Sequence, residues 1–345
     1  MARKYSAKKR TMNKIEPSVM TMTFVLPSVG AVKQVSHIDL SQCASLLNRR
    51  FYRQGINWAV AGFKALTTVQ QTGAQISIGK LPNTWVMSNA WQKGMRSWLR
   101  MNSEALEESP SVRPRFMDYK VYANADHHNV GFGANLLPIS SATLATPPVI
   151  ALPGEWESAK MIIPDSSVPG TVKDVEVIAV GANYPPAGAS GLRAVSLIEG
   201  YANSRGLPNV LDPNTPDDAD DTSGPFPQNW INAIFNEGTE QSEEVLDDLT
   251  SENNLAPYPF ENDGVNPDTM YPGGANQLTG LQLHDFEVVS PSTIGGTTRL
   301  KGGNFPCGLV EIQTFNFAEG TEIVLQVDLV PGNHRGYLCE PMTEM

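Results

Sequence analysis

The residues best suited to hold a metal ion lie in one acidic stretch between prolines. Four aspartates form the run DDADD: Asp217, Asp218, Asp220 and Asp221. Because Ca²⁺ prefers several carboxylate oxygens at a flexible site, this run is a candidate for a structural Ca²⁺ site. It lacks the spaced ligand order of an EF-hand, so a solvated acidic loop is the favoured interpretation.

Motifs that mark enzyme active sites are missing from the sequence. It contains no GxSxG, HExxH or P-loop motif, and no GxGxxG that opens a helix. The only histidine cluster is His127–His128. Adjacent side chains point in different directions, so these two cannot chelate one ion as an i, i+4 pair would. The sequence therefore predicts a protein that is not an enzyme, with no catalytic residues and no cofactor beyond the candidate Ca²⁺.

Positive charge is concentrated near the N-terminus. Residues 1–15 hold no acid and six cations: Arg3, Lys4, Lys8, Lys9, Arg10 and Lys14. Such a tail can follow a phosphate backbone without reading its sequence. The segment NRRFYR adds Arg49, Arg50 and Arg53 with aromatic residues between them, in a predicted strand. These three arginines either bind nucleic acid or pair with acids at a subunit contact.

The charges of the two parts of the chain are opposite in sign. Residues 1–120 hold 18 basic and 6 acidic residues, a net charge of +12, whereas the whole chain carries −11. Between Arg205 and Arg299 there are 17 acids and no lysine or arginine. This segregation predicts one side of the protein that faces a polyanion and another, acidic side.

The elements that must position these residues are mostly strands. Glycine (29 residues) and proline (26) are frequent and show no period, which favours many short strands joined by turns. About ten strands are predicted from Ser18 onward, two of them over 113–123 and 192–202. Gly55 is predicted as a bulge, Ser41 as the cap of a short helix, and residues 88–108 as an amphipathic helix.

This pattern predicts a mainly β fold, an antiparallel β-sandwich of jelly-roll type with one or two short helices and a long acidic loop insertion. The predicted parts are a disordered basic arm (1–17), a shell domain (18–205 and 275–335), an acidic surface insertion (206–274) and a C-terminal tail (336–345). No apolar run is long enough to span a bilayer. Three cysteines without CxxC spacing fit a reducing compartment.

Three segments resemble capsid proteins of circular, Rep-encoding single-stranded DNA (CRESS-DNA) viruses, particularly uncultivated environmental members. They are NRRFYRQGINWAVAGFK, SIGKLPNTWVMSNAWQKGMRSWLRMN and RPRFMDYKVYANADHHNVGFGANLLP. The resemblance covers roughly residues 18–165. It implies a jelly-roll subunit, an icosahedral shell of 60 copies or a multiple, an inward basic N-terminus and a circular single-stranded DNA genome. The tail of this chain departs from the long arginine-rich arm of circovirus-like relatives, because it is short and mixes lysine with arginine.

We therefore expect a capsid protein that self-assembles, packages DNA without sequence specificity and resides in the virion. The triplet Lys8–Arg10 also matches a minimal nuclear import signal, which places assembly in the host nucleus. One alternative is a carbohydrate-binding or adhesive β-sandwich with an acidic Ca²⁺-binding loop, but the basic tail speaks against it. The other is a β-sandwich hydrolase, against which the missing motifs speak.

Overall fold

A computed structural model describes most of the chain. The described residues are 17–27, 30, 32–67, 71, 73–107, 110–112, 117–141, 148–165, 171–205, 227, 229–234, 280–289 and 297–345. The six cations of the tail, the aspartate run and most of the predicted acidic insertion lie outside these ranges.

Strands dominate the described part of the chain. They are β1 (Thr21–Leu26), β2 (Gln34–Asp39), β3 (Ile56–Thr67), β4 (Ala74–Lys80), β5 (Ile139–Ser141), β6 (Val149–Ile150), β7 (Met161–Pro164), β8 (Val172–Ile178), β9 (Arg193–Ser196), β10 (Gln282–Val289), β11 (Thr297–Phe305), β12 (Leu309–Phe315), β13 (Ile323–Leu329), β14 (Pro331–Gly332), β15 (Gly336–Tyr337) and β16 (Cys339–Pro341). The helices are α1 (Leu40–Asn48), α2 (Trp85–Glu107), α3 (Ala125–Val130), α4 (Leu197–Arg205) and α5 (Trp230–Ala233).

Two antiparallel sheets form the body of the protein. Sheet A has the order β1-β13-β3-β11, with β16 added beside the start of β3, and sheet B has the order β10-β4-β12-β2. Each of the first four strands pairs only with strands from the last part of the chain. Eight strands interleaved in this way form a jelly roll. The predicted fold class is confirmed, although the described residues contain more helices than the one or two expected.

A common core fills the space between the two sheets. Phe24, Phe63 and Leu325 from sheet A belong to the same buried cluster as Ile78 and Ile312 from sheet B. In β13 buried and half-exposed residues alternate without interruption, because side chains of a strand point to opposite faces. Each large apolar side chain buried in this way contributes about 1.5–3 kcal/mol to folding.

The long connection between β4 and β10 builds a second core beside the sandwich. There β8 pairs with β7 in antiparallel and with β9 in parallel orientation. Helices α2 and α4 pack with this small sheet, and Trp91, Val177, Leu197 and Trp230 belong to its buried cluster. The sandwich strands themselves lie within residues 21–80 and 282–329, whereas the predicted boundaries at 205, 206 and 274 stay predictions.

Helix starts differ from the predictions because the capping side chains differ. The long helix predicted over 88–108 is confirmed as α2, which begins earlier because the Thr84 hydroxyl accepts a hydrogen bond from the Met87 N–H (3.3 Å). Helix α1 is capped by Asp39 rather than by Ser41. The strand predicted over 192–202 ends at Ser196, whose hydroxyl accepts from the Glu199 N–H and starts α4.

One further strand prediction was wrong, and a long strand of sheet A was missed. Residues 117–123 form no strand, apart from a single bridge between Tyr122 and Ile178. Their backbone groups bond several different elements; the Val121 N–H, for example, donates to the Gln54 side chain (2.7 Å). Strand β11 was missed because its polar sequence TTRLKGGNF hides the alternation of Thr298 and Leu300.

The C-terminal segment 336–345 is part of the fold and not a tail. It contributes β16 to sheet A, and Tyr337 and Met342 are fully buried. The Ser88 hydroxyl donates to the Met342 carbonyl (2.5 Å), which ties the segment to α2. The sequence could not show this docking, because the partners on α2 and β3 lie more than 250 residues away along the chain.

Candidate nucleic-acid interface

The point at which the basic tail joins the fold is surrounded by arginines. The first described residue is Pro17, and Arg50 donates from Nη1 to the Pro17 carbonyl (3.4 Å) and to the Ser18 hydroxyl (3.5 Å). The Ser18 hydroxyl donates to the carbonyl of Arg335 (2.9 Å). We call this region, Pro17, Ser18 and the segment 49–55, the arm root.

The three predicted arginines lie in the loop of the arm root and not in a strand. Arg49 has a left-handed backbone (φ 55°), which ends α1, and β3 begins only at Ile56. Arg53 donates from Nε to the Met117 carbonyl (3.2 Å), and its guanidinium carbon lies 5.7 Å from the centre of the Phe51 ring. The structure thus brings Arg49, Arg50 and Arg53 to one loop, and both predicted partners, nucleic acid and a second subunit, stay predictions.

Sequence reasoning missed a further arginine at the same place. Arg335 follows β14, almost 300 residues from the arm root, and donates from Nη1 to the carbonyl of Phe51. Both Arg335 and Arg53 are exposed. No local signal marks Arg335, because the pairing of β1 with β13 and of β16 with β3 brings the two ends of the chain together.

A cavity of about 400 Å³ lies between the arm root and α2. Its lining is rich in aromatic residues and methionine: Phe51, Arg53, Gly55, Ile56, Trp91, Met95, Trp98, Leu99, Met117, Asp118, Tyr119, His334 and Arg335. The size falls within the range of about 300–1,000 Å³ typical of small-ligand sites. We call it the aromatic cavity.

The rings of the aromatic cavity are held against one another. Tyr119 lies with its ring centre 6.0 Å from that of Trp91 and 5.5 Å from that of Trp98. Gly55, predicted as a bulge, instead precedes β3 and makes room for Trp91, since a Cβ there would lie 2.3 Å from Trp91 Cζ2. The glycine is therefore needed for the shape of the wall.

The wall also contains hydrogen-bonding groups that the fold does not use. Trp91 Nε1 and Tyr119 Oη are buried and have no hydrogen-bond partner among the described residues. A buried polar atom left unpaired costs about 1–3 kcal/mol. Such atoms in a native fold commonly mark a place that a water, ion or ligand completes.

The balance of charge at the aromatic cavity is positive. Its one acid, Asp118, accepts hydrogen bonds from the Gln54 N–H (3.3 Å) and lies 3.7 Å from Lys120 Nζ. Burial raises the pKa of Asp118, and the charge of Lys120 partly offsets this. Burial and Arg335 lower the pKa of His334, which is therefore neutral at neutral pH. Arg335 and Arg53 remain as the cations that face outward.

The predicted divergence of the two neighbouring histidines is confirmed, and each is held in a buried polar network. The His127 ring stacks on that of His37, with centres 4.4 Å apart, and its Nε2 lies 2.8 Å from Asn135 Oδ1. His128 turns the other way and places Nε2 2.9 Å from Glu176 Oε2. Burial lowers the pKa of His127 well below its usual value, so this ring stays neutral. These contacts give both histidines a structural role.

A buried carboxyl joins α1 to the arm root. Asp39 accepts hydrogen bonds from the Gln54 side chain (3.0 Å) and from the Trp156 indole (2.9 Å), in addition to two backbone N–H groups of α1. Burial nevertheless raises its pKa to about 6. Asp39 thus fixes Gln54, whose backbone leads into the wall of the aromatic cavity.

The predicted Ca²⁺ ligands cannot be placed, because Asp217, Asp218, Asp220 and Asp221 lie outside the described residues. Within the described ranges, no group of three or more His, Cys, Asp or Glu side chains is arranged to hold a metal ion. No helix in those ranges has the length and apolar character needed to cross a membrane.

Comparisons of the chain with protein-family models, with curated proteins and with solved structures find no match.

Proposed function

We propose that this protein is the capsid subunit of a single-stranded DNA virus, which self-assembles into an icosahedral shell and holds the genome through its basic arm. One observation carries the proposal: a jelly roll whose first strand directly follows a six-cation tail, with arginines gathered where the two meet. Jelly rolls of eight strands are common in viral shells, and a cationic tail is suited to a flexible polyanion. We also propose that the protein is assembled in the host nucleus and then resides in the virion.

Exposed apolar side chains support self-assembly. Val288 and Phe315 both pair with Gln75 in sheet B, so they flank one position on its outer face, and both are more than two-fifths exposed. Phe286, two residues from Val288 on the outer strand β10, is also 45% exposed. Apolar side chains grouped on a surface mark interaction sites, and stable interfaces bury about 1,200–2,000 Å² in total. A second subunit would cover this face.

The count of charges supports a role for the arm root in addition to the tail. With ~60 subunits in the smallest icosahedral shell, six tail cations each supply about 360 positive charges. A genome of one to a few thousand nucleotides carries one negative charge per nucleotide and exceeds this number. The arginines of the arm root and Arg335 add about 240 charges per shell, and small cations balance the remainder.

Electron microscopy of the purified full-length protein tests the proposal. We expect closed shells of uniform size that contain nuclease-protected single-stranded DNA. A variant with all six tail cations changed to glutamine keeps the length of the arm. We expect it to form shells with little nucleic acid, because the tail supplies these cations and its sequence has no periodic apolar pattern. A matched control changes six exposed cations outside the arm and the arm root.

Two outcomes would contradict the proposal. Absence of shells in every condition of salt and pH would refute the capsid function, and binding to a glycan array would then favour the carbohydrate-binding alternative. The DNA content of the glutamine variant's shells is judged by the ratio of absorbance at the nucleic-acid and protein bands. A normal content would refute the role of the tail.

A further inference from the structure

We propose that the aromatic cavity binds one base of the packaged single-stranded DNA. The strand would stack a base among the cavity's rings while its phosphates meet Arg53 and Arg335. That the ligand is single-stranded DNA rests on the proposed function. The cavity is a different site from the tail.

The first argument is the chemistry of the wall. The aromatic side chains of Phe51, Trp98 and Tyr119 line the cavity, together with Met95 and Met117. Every base has a π-face, so stacking on such rings is strong and tolerates any sequence. The volume of about 400 Å³ admits a flat ring system and excludes a folded peptide segment with several side chains.

The second argument is the placement of charge. Arg53 and Arg335 are exposed at the cavity, where Arg53 donates to the Met117 carbonyl and Arg335 to the Phe51 carbonyl. The negative charge of Asp118 is offset by Lys120 at 3.7 Å. A ligand with an apolar aromatic part and an anionic part fits this arrangement, and a nucleotide has both.

The third argument is continuity with the arm. The loop that carries Phe51 and Arg53 also binds Pro17 and Ser18 through Arg50. A strand drawn in by the tail therefore reaches the cavity first. The tail would hold phosphates without fixing their position, whereas a stacked base fixes one nucleotide at each subunit.

The test compares two single strands of equal charge on the full-length protein. One is a twelve-residue oligothymidylate and the other is an abasic strand of the same length, each titrated at physiological salt and followed by tryptophan fluorescence and by calorimetry. We expect the strand with bases to bind on the order of tenfold more tightly, because stacking on aromatic side chains adds to the phosphate contacts.

Matched variants test whether the preference for the strand with bases arises in the aromatic cavity. Phe51→Ala should remove most of the difference between the two strands, whereas Val172→Ala, at an exposed apolar side chain outside the cavity, should leave it unchanged. Leu99 lines the cavity and its side chain is 40% exposed, so Leu99→Trp should narrow the cavity without disturbing the fold. It should also reduce the difference in affinity between the two strands. Arg53→Gln should weaken the binding of both strands to the same extent. Arg299→Gln should change the binding of neither strand.

The outcomes separate this inference from the capsid proposal. Equal affinity for both strands, with shells that package DNA, would overturn the cavity's role and leave the capsid function standing. A base preference that Phe51→Ala abolishes, in a protein that forms no shells, would support the cavity and refute the capsid. If Phe51→Ala changes assembly without DNA while the base preference persists, the cavity is a subunit contact and the inference is wrong.

Discussion

At the scale of single residues, Asp39 shows how a buried charge sets the conditions under which the fold is stable. Its carboxyl accepts four hydrogen bonds, but full burial raises the pKa to about 6 from an ordinary 3.8. Because the folded pKa lies above the unfolded one, the contribution of Asp39 to stability is complete below about pH 4. It is lost as the pH rises through about 6.

We predict that Asp39→Asn removes this pH dependence. The free energy of unfolding of the natural protein relative to the variant should fall by about 3 kcal/mol between pH 4 and pH 7, since each unit of pKa shift corresponds to about 1.4 kcal/mol. Urea unfolding of both proteins at several pH values measures this difference. The exposed Asp126→Asn is the control, and parallel pH curves for the natural protein and Asp39→Asn would show that the burial argument is wrong.

Residue types alone could identify the basic residues of the site but not its walls. Arg49, Arg50 and Arg53 stand out because they cluster in the sequence and alternate with aromatic residues. Arg335 does not stand out, because strands that pair across nearly the whole chain bring it to the site. Met117 does not stand out either, because a single methionine carries no signal for a site. His37 was expected to be isolated, and its stacking on His127 could not be seen either.

At the scale of elements, α2 has one face in the second core and one face at the aromatic cavity. Trp91 is 4% exposed and packs in the core, whereas Trp98 is half-buried, and Arg96 is exposed. The helix itself was predicted correctly, because the 3.6-residue period is a strong signal over six turns. The period could not show that Trp98 borders a cavity.

We predict a graded loss of stability along α2. Trp91→Ala should cost about 3–5 kcal/mol, because it leaves a hole in a packed core. Trp98→Ala should cost about 1–2 kcal/mol, since its ring is only partly buried. Arg96→Ala should change stability by less than about 1 kcal/mol. Chemical denaturation of the unassembled subunit gives all three values, and equal losses for the two tryptophans would contradict the assigned faces.

Most strands could be predicted from alternation, but their partners and some boundaries could not. Strand β13 alternates without a break and was found, whereas β11 carries two adjacent glycines and was missed. The start of α4 does have a signal, since Ser196 and Glu199 have the spacing of a capping box. The apolar residues on both sides of Ser196 favoured a continuous strand and hid it.

At the scale of the whole molecule, the proposed shell must separate its positive from its negative charge. The arm root is positive, while residues 206–274 hold 15 acids and no lysine or arginine. Placing such a segment against DNA would add repulsion at contact distances, which screening over about 8–10 Å does not cancel. We therefore propose that the acids of this segment, none of which lies in the buried helix α5, face the outer surface of the particle and that the tail faces the inner one.

We predict that proteases cut intact particles first within residues 206–274 and leave the tail intact. Mass spectrometry of fragments during limited digestion measures the order of cleavage. Disassembled subunits serve as the control, since their tail should be cut as readily as the acidic segment. Early loss of the tail from intact particles would reverse the assignment of inside and outside.

The interleaving of the two sheets determines when this chain can fold during its synthesis. None of the strands β1 to β4 pairs with another of them, and their first partner begins at Gln282, about 200 residues after β4 ends. At ~5–20 residues per second, a ribosome needs roughly 10–40 s to make that stretch. During this time four apolar strands leave the ribosome without partners, a state in which chains aggregate. The sandwich can therefore fold only after the strands between residues 282 and 329 have left the ribosome.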